Sequence, residues 1–103
     1  MKYILVLQWS AVAEADYDAL IAMEDRLEAG LDGAIGFVDG HDFGSTEMNI
    51  FVHTDRPSDA FADVARCLGA DPRWAQVRAV FRPTEGDRYE VVWPDTLEEF
   101  SVT

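Results

Sequence analysis

Glu47-Met48-Asn49-Ile50-Phe51-Val52-His53-Thr54 alternates strongly between polar and apolar side chains, and it follows the Gly44-Ser45-Thr46 group that reverses the chain. Alternation with a period of two marks a strand with one buried face. The preceding stretch, Ala34 to His41, alternates weakly, so the two segments form a β-hairpin. With the reversal at Gly44 to Glu47, Phe43 pairs with Met48, Asp42 with Asn49 and His41 with Ile50. Met48, Ile50 and Val52 then form an apolar face that suits contact with helices. Asn49, Phe51 and His53 point the other way together with Asp42.

Tyr3 to Trp9, upstream, is a nearly continuous apolar run of branched and aromatic residues, the pattern of a central strand covered on both faces. Ala13 to Leu31 changes to helical period, with Tyr17, Leu20, Ile21, Leu27 and Leu31 on one face and Gly30 and Gly33 available to end the helix. Its early acids, Glu14, Asp16 and Asp18, suit the positive end of the helix dipole. Downstream, Asp55-Arg56-Pro57-Ser58 reads as a helix entry in which Asp55 or Ser58 can cap and Pro57 occupies the first turn. Ala60, Phe61, Val64, Ala65, Cys67 and Leu68 trace a second helix ending near Gly69. Asp71-Pro72 turns the chain, Gln76 to Arg82 forms a strand, and Tyr89 to Trp93 forms a last short one. Asp95-Thr96-Leu97-Glu98 has capping-box spacing, which predicts one terminal helical turn.

Strand, helix, hairpin, helix, strand is the β-α-β-β-α-β order of a ferredoxin-like sandwich in the α+β class, here with an extra C-terminal strand. Residues 1–103 are read as a single domain with two helices on one face of an antiparallel sheet. The opposite face starts uncovered. It must be polar, closed by a second copy, or used for binding.

The charge narrows the partners. Eight Lys and Arg stand against twenty Asp and Glu, a formal net charge of −12 at pH 7. Such a balance repels nucleic-acid phosphates and anionic lipid surfaces. Residues Ala11 to Asp32 hold seven acids and one base, half of the net charge, whereas Arg56 to Arg73 holds three of each. The first helix is therefore the acidic pole. With one cysteine, Cys67, no intrachain disulfide forms, and a reducing cytoplasm is the expected compartment. The run Ile4-Leu5-Val6-Leu7 is too short for a signal sequence, and no stretch has the length of a membrane span.

Polar residues at apolar positions supply the candidate sites. Glu24 falls in the middle of the first helix's apolar stripe, with Glu28 one turn later. A carboxylate there must find a partner, bend to the rim or take a proton, and Arg26, Arg78, Arg82 and backbone amides are the partners considered. Asp42, Asn49, Phe51 and His53 on the open sheet face form the second constellation, a candidate ligand site that Glu24 or a second copy would complete. His41 and His53 with nearby acids are the only ingredients for a metal ion, and no His-x-x-His spacing accompanies them, so no metal and no cofactor are expected. The serines lack a nucleophile-elbow pattern and the glycines do not form a phosphate loop. Gly36 and Gly40 are read as letting Phe51 or a neighbouring backbone come close. Trp9, Trp74 and Trp93 are placed at strand ends, and the short strand ending at Trp93 is an edge open to pairing with another chain.

The stretch Asp39-Gly40-His41-Asp42-Phe43-Gly44-Ser45-Thr46-Glu47-Met48-Asn49-Ile50-Phe51-Val52-His53-Thr54-Asp55 resembles a segment of small uncharacterised bacterial proteins of ferredoxin-like type. Size and strand order are similar to the dimeric α+β barrel group, which implies dimerisation through sheet faces. Size, acidity and the lack of a reaction motif are similar to immunity proteins that mask bacterial toxins. Acylphosphatases share the element order, but Gln8-Trp9-Ser10-Ala11 has no counterpart of their phosphate loop. The expectation is a non-catalytic acidic module that engages a basic protein partner through Asp16, Asp18, Glu24 and Glu28. The alternative is a small-molecule site or dimeric enzyme on the open sheet face. A homodimer through that face or through the C-terminal edge strand is expected in either case, with no nucleic-acid or membrane partner.

Overall fold

In a computed structural model, residues 1–94 of the chain are described here. The elements run β1 (Tyr3–Ser10), α1 (Glu14–Gly30), β2 (Gly36–Phe43), β3 (Glu47–Thr54), α2 (Pro57–Leu68), β4 (Arg78–Pro83) and β5 (Glu90–Trp93), with a 3₁₀ helix at Pro72–Gln76. The strands form one antiparallel sheet in the order β2-β3-β1-β4-β5. This is the ferredoxin-like arrangement with an added edge strand. The expected terminal turn at Asp95 to Glu98 lies outside the described residues.

β1 is the central strand because its run is apolar on both parities. Leu5, Leu7 and Trp9 face the helices and join Leu20, Met23 and Leu27 of α1 and Ala60, Val64 and Leu68 of α2 in the core. Met48, Ile50 and Val52 of β3 complete that core. Val6 and Gln8, on the other parity, are also buried. Each fully buried aliphatic side chain contributes about 1.5–3 kcal/mol by leaving water, so this strand anchors the fold.

The hairpin pairs as the alternation requires: Phe43 opposes Met48, Asp42 opposes Asn49 and His41 opposes Ile50. β2 begins at Gly36, two residues later than the alternation suggests. Asp32 is responsible, since its carbonyl accepts the N–H groups of Ile35 and Gly36 and its Oδ1 accepts that of Ala34, holding Ala34 in a turn. A bulge at Asp39 then restores the register. Gly36 has the close approach expected of it, because a Cβ there would stand 2.8 Å from the His53 carbonyl oxygen. Beside Gly40, by contrast, a Cβ would meet nothing within 4 Å.

Several local expectations need correcting. The apolar stripe of α1 is rotated, so Met23 is buried while Tyr17 is exposed, because the helix packs its Leu20–Leu27 edge on the sheet. Neither Asp55 nor Ser58 caps α2. Its N-cap is Arg56, whose N–H is taken by Thr54 Oγ1, while Asp55 Oδ1 accepts the Lys2 N–H. Pro57 does occupy the first turn. Residues 72–76 wind into the 3₁₀ helix, so β4 starts at Arg78 and Trp74 lies in that helix instead of at a strand end.

Three aspartates tie the helices down. Asp16 Oδ2 accepts the N–H groups of Val12 and Ala13, and its Oδ1 lies 2.8 Å from Arg73. Asp63 accepts from the Asp32 N–H and pairs with Arg66, and Asp71 accepts from the Arg73 N–H and from Arg26. These bonds, the backbone donors first, hold all three carboxyls below the ordinary aspartate value of 3.8. Unfolded, the groups bind protons at that ordinary value. Their stabilisation is therefore complete above it and is lost as pH falls below it, through the lower folded values. Asp71→Asn is expected to lower stability at neutral pH and to flatten the acid limb of a plot of urea midpoint against pH, below about pH 4. An unchanged limb would reject this assignment.

Candidate functional site

The strand register organises the face of the sheet that no described helix covers, called the helix-free face below, into rows. Asp42, Asn49, Gln8 and Arg78 lie side by side across β2, β3, β1 and β4. The next row along the strands is Gly40, Phe51, Val6, Val80 and Val91, and beyond it come Phe37, His53, Ile4 and Arg82. A polar row thus borders an apolar one, and a mixed row closes the other side.

The polar row is wired in one sense only. Gln8 Nε2 donates to Glu47 Oε2 at 2.8 Å and to Asn49 Oδ1 at 3.0 Å, and Gln8 Oε1 accepts from Arg78 Nε at 3.0 Å. A carboxylate only accepts and a guanidinium only donates, so Glu47 and Arg78 fix which end of the Gln8 amide points where. Gln8 in turn presents its NH₂ group to Asn49, which must answer with its oxygen. Asn49 Nδ2 is left buried and without a hydrogen-bond partner among the described residues. Asn49 is 0% exposed and Gln8 2%. An unmade bond at a buried amide costs about 1–3 kcal/mol, so the position is expensive for stability alone.

The mixed row has its own pair. His53 Nε2 lies 3.2 Å from Asp39 Oδ2, and the Phe37 ring stacks on the imidazole with centroids 5.3 Å apart and planes 15° from parallel. Phe37 is half exposed at the sheet edge.

Glu24 lies elsewhere. It is buried on the helix side of the sheet, where both of its oxygens stand 3.0 Å from His41 Nδ1. His41 reaches it because its β2 position, opposite Ile50, faces α1. Tyr17 packs edge-on against both His41 and Phe43 and closes the outer side of the pair. None of the arginines considered for Glu24 serves it: Arg26 pairs with Asp71, Arg78 with Gln8, and Arg82 donates to the carbonyls of Pro83, Thr84 and Gly86.

The five residues grouped as one ligand site are therefore divided. Asp42, Asn49, Phe51 and His53 share the helix-free face, and Glu24 is on the opposite one. His41 and His53 likewise lie on opposite faces and cannot share an ion. Of the four acids assigned to a partner, Asp16 is engaged by backbone donors and Arg73, and Glu24 by His41, whereas Asp18 and Glu28 are exposed. Cys67 is half-buried, and burial pushes its thiol above the ordinary value. Its Sγ would lie 2.9 Å from a Cβ at Gly30, which is packing between the two helices.

Sequence reasoning missed Gln8, Glu47 and Arg78 as companions of Asn49. Gln8 was the available signal, since it interrupts the run Tyr3 to Trp9 that is otherwise apolar on both parities. No helix among the described residues is long and apolar enough to cross a membrane. Compared with protein-family models, curated proteins and solved structures, the chain has no match.

Proposed function

We propose that this chain binds a small molecule on the helix-free face of its sheet, with Asn49 as the central donor. The observation that carries the reading is the buried Asn49 Nδ2, unpartnered among the described residues and held in place by the Glu47–Gln8–Arg78 network. A ligand oxygen that accepts from this atom recovers the missing bond. Phe51, which is part-exposed above the buried Val6 and Val80, supplies apolar surface for the ligand's body, and His53 with Asp39 supplies polar groups at its far end. Asp42 flanks Asn49 on the β2 side. The roles assigned are binding and orientation, with no bond-making step.

The test is a screen of small carbonyl-containing fragments against the ¹⁵N-labelled chain, reading the Asn49 side-chain NH₂ resonances. Fragments that bind are expected to shift those resonances saturably. In Asn49→Leu, where the backbone amide resonances of β2 and β3 are followed instead, the same fragments are expected to bind about tenfold or more weakly, the worth of one buried hydrogen bond, while the protein stays folded. Equal binding by Asn49→Leu would overturn the assignment.

A homodimer across the same face or through the β5 edge accompanies this reading, since Phe37 and Val91 are exposed large apolar side chains. Sedimentation equilibrium of the wild type tests it, and a monomer at all concentrations rejects it.

One feature favours a second reading, a basic protein partner on α1. Glu14, Asp18, Asp25 and Glu28 are exposed along that helix, and Arg26 is turned away to Asp71. Glu14 and Asp18 also line a cleft of about 590 Å³ with Val12, Tyr17 and Phe43, where a basic side chain would be seated. Partners captured at low salt should lose affinity steeply with added salt and on neutralising Asp18 and Glu28. Salt-insensitive capture would reject this reading.

A further inference from the structure

Resting on the ligand reading above, we infer that the ligand's head is an uncharged carboxamide-type edge, a carbonyl oxygen beside an N–H. The carbonyl accepts from Asn49 Nδ2 and the N–H donates to the Asp42 carboxylate.

Three observations carry this. First, Asn49 offers only a donor. Its oxygen is committed to Gln8, and the polarity of the network prevents the amide from turning over. Second, the residue directly across the hairpin from Asn49 is Asp42, on the same face of the sheet. Directly opposed side chains in an antiparallel pair have Cβ atoms about 4.5–5.5 Å apart, so the two can engage neighbouring atoms of one ligand. Asp42 is half-buried and has no hydrogen bond or ion pair with another described residue. One fixed donor beside one free acceptor is the complement of an amide edge.

Third, the local charge selects against an acid. Glu47 and Asp42 are both near Asn49, while the cation of the described polar row, Arg78, stands two strands away beyond Gln8. A carboxylate head would meet like charge on two sides with little water to screen it, whereas a neutral amide would not. There is also room for the body of such a ligand. Gly40 lies two residues before Asp42 on the same face of β2, and a Cβ there would meet nothing within 4 Å beyond its chain neighbours. An aromatic or small apolar group attached to the amide would rest there against Phe51.

Benzamide and benzoate are the probes, since they differ only in the head group. Each is titrated at pH 7 into the ¹⁵N-labelled full chain, and into Asp42→Ala, following the Asn49 side-chain NH₂ resonances. Benzamide is expected to bind the wild type at least tenfold more tightly than benzoate, and Asp42→Ala to weaken benzamide by about tenfold, the worth of a charge-assisted hydrogen bond. Benzoate should be unchanged or improved in Asp42→Ala, an inversion that general loss of structure would not produce. Tighter binding of benzoate by the wild type overturns the inference and leaves the ligand reading standing. So does the absence of any benzamide shift when other carbonyl fragments move the Asn49 resonances. If no fragment of any kind moves them, both the inference and the ligand reading fall.

Discussion

Trp9→Ala is expected to cost about 3–5 kcal/mol of folding free energy, the range for removing a large aromatic side chain from a core. Trp9 is 1% exposed, at the end of the central strand opposite Met48, and is among the largest fully buried side chains. It also fastens the 3₁₀ helix to the sheet, because its indole N–H donates to the Arg73 carbonyl at 3.0 Å. The same Arg73 reaches Asp16 at the start of α1. One side chain thus supports the core and the connection between α1 and the segment that leads into β4. Domains of this size are stable by about 5–15 kcal/mol, so the variant should sit near the edge of folding. Trp9→Phe separates the two contributions, since it keeps most of the apolar volume and loses the hydrogen bond. It should cost about 1–3 kcal/mol, the penalty of leaving the Arg73 carbonyl unsatisfied. The measurement is urea unfolding followed by far-ultraviolet circular dichroism. A loss below about 1 kcal/mol for Trp9→Ala would show that the core collapses around the gap, contrary to the anchoring role argued for Trp9.

The parts of the fold that could be read from residues were those in which one local signal settles a long-range fact. Alternation along Glu47 to Thr54, with Gly44-Ser45-Thr46 before it, fixed the hairpin register and with it the face each side chain takes. The apolar run in β1 marked the central strand for the same reason, since only a strand covered on both sides is apolar on both parities. Element ends were harder to read where a side chain intervened. Asp32 holds Ala34 in a turn, and Asp71 caps the 3₁₀ helix at Pro72, so both strands start later than their patterns suggest. The candidate site was legible in part. Asn49, Asp42, Phe51 and His53 follow from hairpin parity alone. Gln8 and Arg78 do not, because their placement beside Asn49 depends on how β1 registers against β3 and β4, which no turn specifies. Nor does the unpartnered state of Asn49 Nδ2, which emerges only once Glu47 and Arg78 dictate the orientation of Gln8.

Glu24 shows a different limit and leads to the second large effect. Its intrusion into an apolar stripe was visible, and the hairpin register already put His41 on the helix-facing side. What the stripe alone did not show was the rotation of α1 that brings the two together. Once paired, Glu24 is nearly buried, with its side chain 11% exposed, whereas the His41 side chain is 30% exposed. His41→Ala should therefore destabilise the protein by about 1.5–3 kcal/mol, the value of a hydrogen bond to a charged group, because it strands a carboxylate among apolar neighbours. Glu24→Ala should cost less. It leaves a histidine that water can reach, and the apolar stripe is continuous around the gap. Replacing both at once, as Glu24→Leu with His41→Leu, is expected to be neutral or stabilising, because two apolar side chains of similar size need no desolvation of charge. The asymmetry between the single variants and the recovery in the double variant form one double-mutant cycle by urea unfolding. Equal losses for the two single variants, or additive losses in the double variant, would show that Glu24 is held by the helix rim and not by His41.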